Sequence, residues 1–137
     1  NTRPLFSLPD LEGVDHSISE WDGKLLLINF WASWCPPCIK EMPALDRIRR
    51  EYMAEGFEIL GVAIEPDEDV ANFLAESPVS YPVVHGEIAA DRIAREYGNN
   101  VGSIPFSALI NRDGQIIDRY YGEIDLTALT QSIAENL

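Results

Sequence analysis

The sequence predicts an α/β fold in which a mixed central sheet carries helices on both faces. Two apolar runs of strand length, Leu25–Trp31 and Phe57–Ile64, are each followed by a stretch whose apolar residues recur at helical spacing. Two further strand-like runs, Phe106–Ile110 and 115–121, are split by the turn sequence Asn111-Arg112-Asp113-Gly114. Strands apolar on both faces belong inside a parallel or mixed sheet, and a late hairpin adds antiparallel pairing at its edge.

Taken in order, residues 1–24 form an N-terminal extension and 25–137 the core of a single domain. Leu5-Phe6-Ser7-Leu8, the turn Asp10-Leu11-Glu12-Gly13 and His16-Ser17-Ile18 predict a small β-hairpin with His16 at its surface. Leu25–Trp31 is an internal strand whose one polar residue is Asn29. Cys38, Met42, Leu45, Ile48 and Tyr52 mark one face of a helix over about 35–54, which Gly56 stops; Arg47, Arg49, Arg50, Glu51 and Glu55 mark its wet face. Phe57–Ile64 is the second buried strand. It runs into Glu65-Pro66-Asp67-Glu68-Asp69, where Asp67 or Asp69 caps a helix carrying Val70, Phe73 and Leu74. Tyr81-Pro82-Val83-Val84 is an edge segment followed by a turn at His85-Gly86. A helix over 88–97 turns Ala89, Ile93, Ala94 and Tyr97 inward and ends at Gly98. Asp125 caps a final helix bearing Leu126, Leu129, Ile133 and Leu137.

Ten Lys and Arg against 23 Asp and Glu give a net charge of −13, which repels nucleic acid and anionic lipid and excludes both as partners. Hydrophobic residues make up 46% of the 137, enough for a real core. No apolar run approaches the roughly 20 residues that span a bilayer. The chain starts at Asn1 rather than Met, which points to a segment upstream of it.

Both cysteines lie in Trp34-Cys35-Pro36-Pro37-Cys38, where a buried strand turns into an amphipathic helix. Cys35 falls at the helix N-terminus, whose free N–H groups and dipole stabilise a thiolate, and Cys38 lies one turn further in. Proline is tolerated in that first turn. The pair reads as a reversible dithiol. Tetrahedral zinc needs four ligands, and only the isolated His16 and His85 remain to complete such a site, so no metal is expected.

These residues carry a family resemblance. Asn29-Phe30-Trp31-Ala32-Ser33-Trp34-Cys35-Pro36-Pro37-Cys38, with Pro43 in the following helix, resembles the active-site strand, turn and kinked helix of the thioredoxin superfamily. Phe6-Ser7-Leu8-Pro9-Asp10, Lys40-Glu41-Met42-Pro43-Ala44-Leu45, Tyr81-Pro82-Val83-Val84, Gly102-Ser103-Ile104-Pro105 and Leu109-Ile110-Asn111-Arg112-Asp113-Gly114 extend it to the TlpA/ResA-like (DsbE/CcmG-like) branch along essentially the whole chain. The resemblance implies a thioredoxin-like fold and an extracytoplasmic, periplasmic enzyme anchored through a segment absent from this chain. It also implies a monomer that reduces disulfides of client proteins such as apocytochrome c or copper-site proteins. Electrons come from a membrane-bound thiol donor, and no cofactor is needed beyond the Cys35–Cys38 pair. It further implies that Pro105 is cis, that Ile104 backbone pairs with the client, and that Trp34, Pro36 and Pro37 belong to the client-binding surface. Where thioredoxins commonly keep a buried Asp for protons, Asn29 cannot titrate.

Thiol–disulfide exchange assigns Cys35 as the solvent-facing attacker and Cys38 as the resolving thiol, which needs a base. Strand C-termini line the active crevice of such sheets, and Glu65, first after a buried strand, matches a glutamate that ResA-like proteins keep near the cysteines; it is the candidate base. Pro36 and Pro37 remove two N–H groups from the helix tip, the net charge opposes a further anion, and Lys40 is the one nearby cation. These effects favour a reductant. Trp31 and Trp34 are candidates for an apolar floor. A thiol peroxidase, a copper-binding module and a non-catalytic thioredoxin-like module are the alternatives; peroxide consumption, tight Cu(I) binding, or client binding that survives loss of both cysteines would distinguish them.

Overall fold

The computed structural model describes residues 1–137. Five strands form the central sheet in the order β5-β4-β3-β6-β7: β3 (Leu25–Trp31), β4 (Phe57–Ile64), β5 (Val83–Gly86), β6 (Phe106–Ile110) and β7 (Ile116–Tyr121). β3, β4 and β5 run parallel, whereas β6 and β7 are antiparallel to their neighbours. Ahead of them, β1 (Ser7–Pro9) and β2 (Asp15–Ser17) make a separate two-stranded hairpin. The helices are α1 (Pro36–Tyr52), α2 (Asp67–Glu76), α3 (Ile88–Glu96) and α4 (Leu126–Asn136).

Alternation along β3 divides the core, because successive side chains of a strand point to opposite faces. Leu26, Ile28 and Phe30 pack with Ala90, Ile93 and Ala94 of α3 and with Leu8 and Ile18 of the N-terminal segment. Leu25 and Leu27 pack with Leu45 and Ile48 of α1 and with Leu129 and Ile133 of α4. Trp31 joins Cys35, Cys38, Met42, Ala63 and Val70 in a third cluster at the C-terminal end of the strand. The hairpin is thus packed onto the sheet, and His16 is half-buried in it, bonded to Asp10 and Glu20.

Several boundaries differ from the sequence reading. His85 and Gly86 do not turn the chain; they finish β5, paired with Ala63 and Ile64. A Cβ on Gly86 would lie 3.3 Å from Ala90 and from Leu8, so this glycine serves close packing rather than a turn. Neither Asp67 nor Asp69 caps α2. Pro66 holds the cap position without a side-chain bond, and the acidic residues occupy the first turn, where they complement the helix dipole. In α3 Ala90 rather than Ala89 faces the core, because 90, 93, 94 and 97 are the positions that share one helical face. No helix is long and apolar enough to cross a membrane.

Candidate active site

β3 delivers a fully buried Trp31, and the chain then turns so that Cys35 becomes the N-cap of α1, with prolines in the first two helical positions. Cys35 and Cys38 are joined by a disulfide, their Cα atoms 5.3 Å apart. The Cys38 amide N–H donates to Cys35 Sγ at 3.4 Å; Pro36 and Pro37 have no N–H to add to it. Across from the pair, the Ile104–Pro105 peptide is cis, and the Ile104 carbonyl oxygen lies 3.7 Å from Cys35 Sγ.

Access differs from expectation. Cys35 is only 3% exposed against 0% for Cys38, because its side chain curls back over the first turn and sits under the Ile104 loop. The two tryptophans separate: Trp31 is buried and packs on Phe73, with ring centroids 5.5 Å apart, whereas Trp34 is 68% exposed beside the disulfide. Pro36 and Pro37 are exposed. Lys40 points away from the sulfurs and pairs with Glu123 at 3.7 Å.

Two buried carboxylates flank the disulfide. Glu65, at the end of β4, accepts the Ser33 backbone N–H and the Ser33 hydroxyl, both at 2.8 Å. It thereby fastens β4 to the turn that presents Cys35, and its hydrogen bonds go to Ser33 rather than to either sulfur.

The second carboxylate is Glu41, which sequence reasoning placed within a family motif but gave no role. Its oxygens accept the Asn29 side-chain amide at 2.8 Å and the Ile124 backbone N–H at 3.0 Å. Asn29 also donates to Ser107 at 2.9 Å, while its own Oδ1 is buried without a partner. Burial pushes the Glu41 pKa up; the Ile124 and Asn29 donors pull it down without cancelling that rise, and Glu123 nearby adds to it. Residues three apart on a helix are neighbours, so Glu41 stands one turn beyond Cys38 on the same face. The signal was available: 38, 41, 42, 45 and 48 form one stripe, and a carboxylate inside an apolar stripe is a buried one. Asn29 thus occupies the strand position, and a buried carboxyl with a raised pKa sits opposite it on α1.

A reversible dithiol on a strand-to-helix turn, faced by a cis-proline loop and carried by this sheet, defines a thioredoxin-fold redox protein. The chain belongs to the Redoxin family, whose sequence profile matches residues 1–137. It is 36% identical over 117 residues to the thiol-disulfide oxidoreductase ResA of Geobacillus thermodenitrificans, covering 85% of this chain and 65% of that protein. It therefore spans somewhat less than two-thirds of that relative's length. Among solved structures, a thioredoxin family thiol:disulfide interchange protein from Chlorobium tepidum superposes with a TM-score of 0.87 at 25% identity, covering 99% of this chain and 95% of that one. A thiol-disulfide oxidoreductase from Bacteroides fragilis gives 0.86 at 29%, with both chains fully covered.

Proposed function

We propose that this chain is an extracytoplasmic thiol–disulfide oxidoreductase that reduces disulfides of client proteins. The observation that carries the reading is the Cys35–Cys38 disulfide at the tip of α1 with a buried Glu41 carboxyl one turn behind it. In the reduced form the Cys35 thiolate attacks a client disulfide, and one client sulfur leaves as a thiolate that takes up a proton. The Cys38 thiol then gives its proton to the Glu41 carboxylate and attacks Cys35 Sγ. The mixed disulfide breaks, the second client sulfur leaves, and two electrons have passed from the dithiol to the client. The product is the Cys35–Cys38 disulfide, which an external dithiol must reduce again.

Client chain docks along Ile104, whose carbonyl faces Cys35, with Trp34, Pro36, Pro37 and Pro105 as its apolar surroundings. Glu65 positions rather than reacts: through Ser33 it fixes the turn from which Cys35 projects. The same architecture supports the reducing direction. A stabilised Cys35 thiolate makes an oxidant, and here a single first-turn amide reaches that sulfur, Lys40 is turned away, and the chain carries a charge of −13. The thiol-disulfide oxidoreductases it resembles support this class of activity. A membrane-bound thiol donor and clients in cytochrome c maturation or copper-site assembly extend the proposal.

Trapping tests the sulfur roles. Cys38→Ser should accumulate a stable mixed disulfide with client protein, and Cys35→Ser should trap almost none. Equilibration against glutathione tests direction: the potential should lie at or below about −180 mV, and a value near −120 mV would make the protein an oxidant.

A further inference from the structure

The loop that faces the dithiol has little bonding of its own. Its two ends are fixed. Arg119 Nε donates to the Tyr97 carbonyl at 2.7 Å and the Tyr121 hydroxyl to the Gly98 carbonyl at 2.9 Å, while the Gly122 N–H donates to the Pro105 carbonyl at 2.9 Å. Residues 101–104 lie outside every helix and strand, and none of them takes part in a backbone–backbone hydrogen bond. Gly102 turns the chain there at φ +74°, a conformation that favours glycine.

Asn99 bridges this unbonded stretch. It follows the end of α3, 1% exposed, and its backbone N–H donates to the Ala94 carbonyl at 3.0 Å. Its side-chain Nδ2 donates to the Ser103 carbonyl at 2.9 Å, whereas Oδ1 is buried without a partner. An orphaned buried acceptor is destabilising, so packing alone would be better served by an apolar side chain of this size. The donor is what the position uses. The Ser103 carbonyl and the Ile104 N–H belong to one planar trans peptide and point to opposite sides of the chain. With that carbonyl drawn inward to Asn99, the Ile104 N–H is turned away from it, and the Ile104 carbonyl lies 3.7 Å from Cys35 Sγ.

We propose that Asn99 is a positioning residue for client docking: it holds the Ser103–Ile104 peptide so that the Ile104 N–H and carbonyl meet the backbone of an extended client chain beside Cys35. The client class is therefore a disulfide carried in extended polypeptide. The gain is preorganisation, since a slack loop would have to be ordered each time a client binds. The inference rests on the proposed reduction of client disulfides and adds the element that distinguishes a peptide disulfide from a small one.

Single-turnover mixing of the reduced full chain separates the two, with tryptophan emission as the readout. One substrate is an end-blocked peptide with a disulfide between two of its cysteines; the other is hydroxyethyl disulfide, which has no peptide backbone. Asn99→Ala should raise the half-saturating peptide concentration about five- to tenfold, and leave both the limiting rate and the rate with the small disulfide within about twofold of the parent. Asn99→Leu removes the donor and the orphaned acceptor together while keeping the shape. It should melt no lower than Asn99→Ala and show the same peptide-specific loss. Tyr121→Phe, which unties only the Gly98 carbonyl, should keep the parent's ratio between the two substrates. Equal losses on both substrates, an unchanged half-saturating peptide concentration in either Asn99 variant, or a peptide-specific loss as large in Tyr121→Phe would each overturn the role. A parent that reduces neither substrate would overturn the reduction reading, and this inference with it.

Discussion

Two glutamates, Glu41 under the dithiol and Glu65 beside it, are buried to nearly the same degree, 5% and 4% exposed, yet their surroundings differ. Glu65 spends its oxygens on one residue, Ser33, whose N–H and hydroxyl hold it at the end of a strand. Glu41 lies within the packed interface of sheet and helix. Its donors are an amide side chain and one backbone N–H, and burial outweighs both in setting its proton affinity. On the proposed mechanism Glu65 ties down the turn before Cys35, whereas Glu41, its pKa raised by burial, takes the Cys38 proton and returns it.

The widest separation between the two should appear in Glu41→Gln. The amide keeps the shape but cannot accept a proton, so resolution of the mixed disulfide should slow by about 10²–10⁴-fold. Stopped-flow reduction of a model client disulfide measures it, and a change within about twofold would return Glu41 to a structural role. The same variant carries a stability signature. Because burial holds the Glu41 pKa above its unfolded value of about 4.3, its stabilising contribution is complete below that pH and is lost as pH rises through the folded pKa. Gln escapes that loss. Melting temperatures of variant and parent should match near pH 4, and the variant should gain on the parent by pH 7. Parallel curves over that range would show that Glu41 does not titrate above its unfolded value.

Asn29→Asp sharpens the comparison by placing a second carboxyl against Glu41, where the Asn29 amide now donates. Two buried acids within hydrogen-bond distance cannot both ionise cheaply, so the variant should lose about 3–5 kcal/mol at neutral pH and recover much of it on acidification. Urea unfolding at the two pH values checks both halves. Full stability at pH 7 would mean that water reaches this pocket.

How much of this was legible follows from where the information lies. β3, β4 and β6 were readable to the residue, since each is an apolar run with a single polar residue, as strands covered on both faces require. β5 was not: His85 and Gly86 resemble turn residues, and only the neighbouring Leu8 and Ala90 explain a glycine inside a strand. The dithiol and its helix tip were local and therefore visible. The Glu41–Asn29 contact joins two elements far apart in sequence; Asn29 alone left the proton-handling role either absent or moved, and the sequence offered Glu65 for it. Glu65 was found for a sound reason, its place at a strand end facing the site, but its partner Ser33 lies in a loop and could not be foreseen.

Glu65→Gln should act on geometry. Its amide can still accept one Ser33 bond but loses the charge that strengthens both, which should cost about 1–3 kcal/mol and leave turnover within roughly tenfold of the parent. A loss of activity as large as that of Glu41→Gln, with folding intact, would mean that Glu65 shares the proton work.

The smallest effect belongs to Lys40, the cation that sequence alone left free to favour a Cys35 thiolate. Its ammonium instead pairs with Glu123 at 3.7 Å, with the Lys40 side chain 75% exposed, and exposed pairs are worth about 0.2–1 kcal/mol. Lys40→Ala should therefore barely move the dithiol: at about 30 mV per 1.4 kcal/mol, the potential should change by less than about 20 mV. A fall well beyond that would show that Lys40 reaches the thiolate once the disulfide opens, and that the reduced site is more cationic than the oxidised one. A potential unmoved by Lys40 would leave the Cys38 amide as the main stabiliser of the Cys35 sulfur, and a single such donor is what the proposed reducing direction requires.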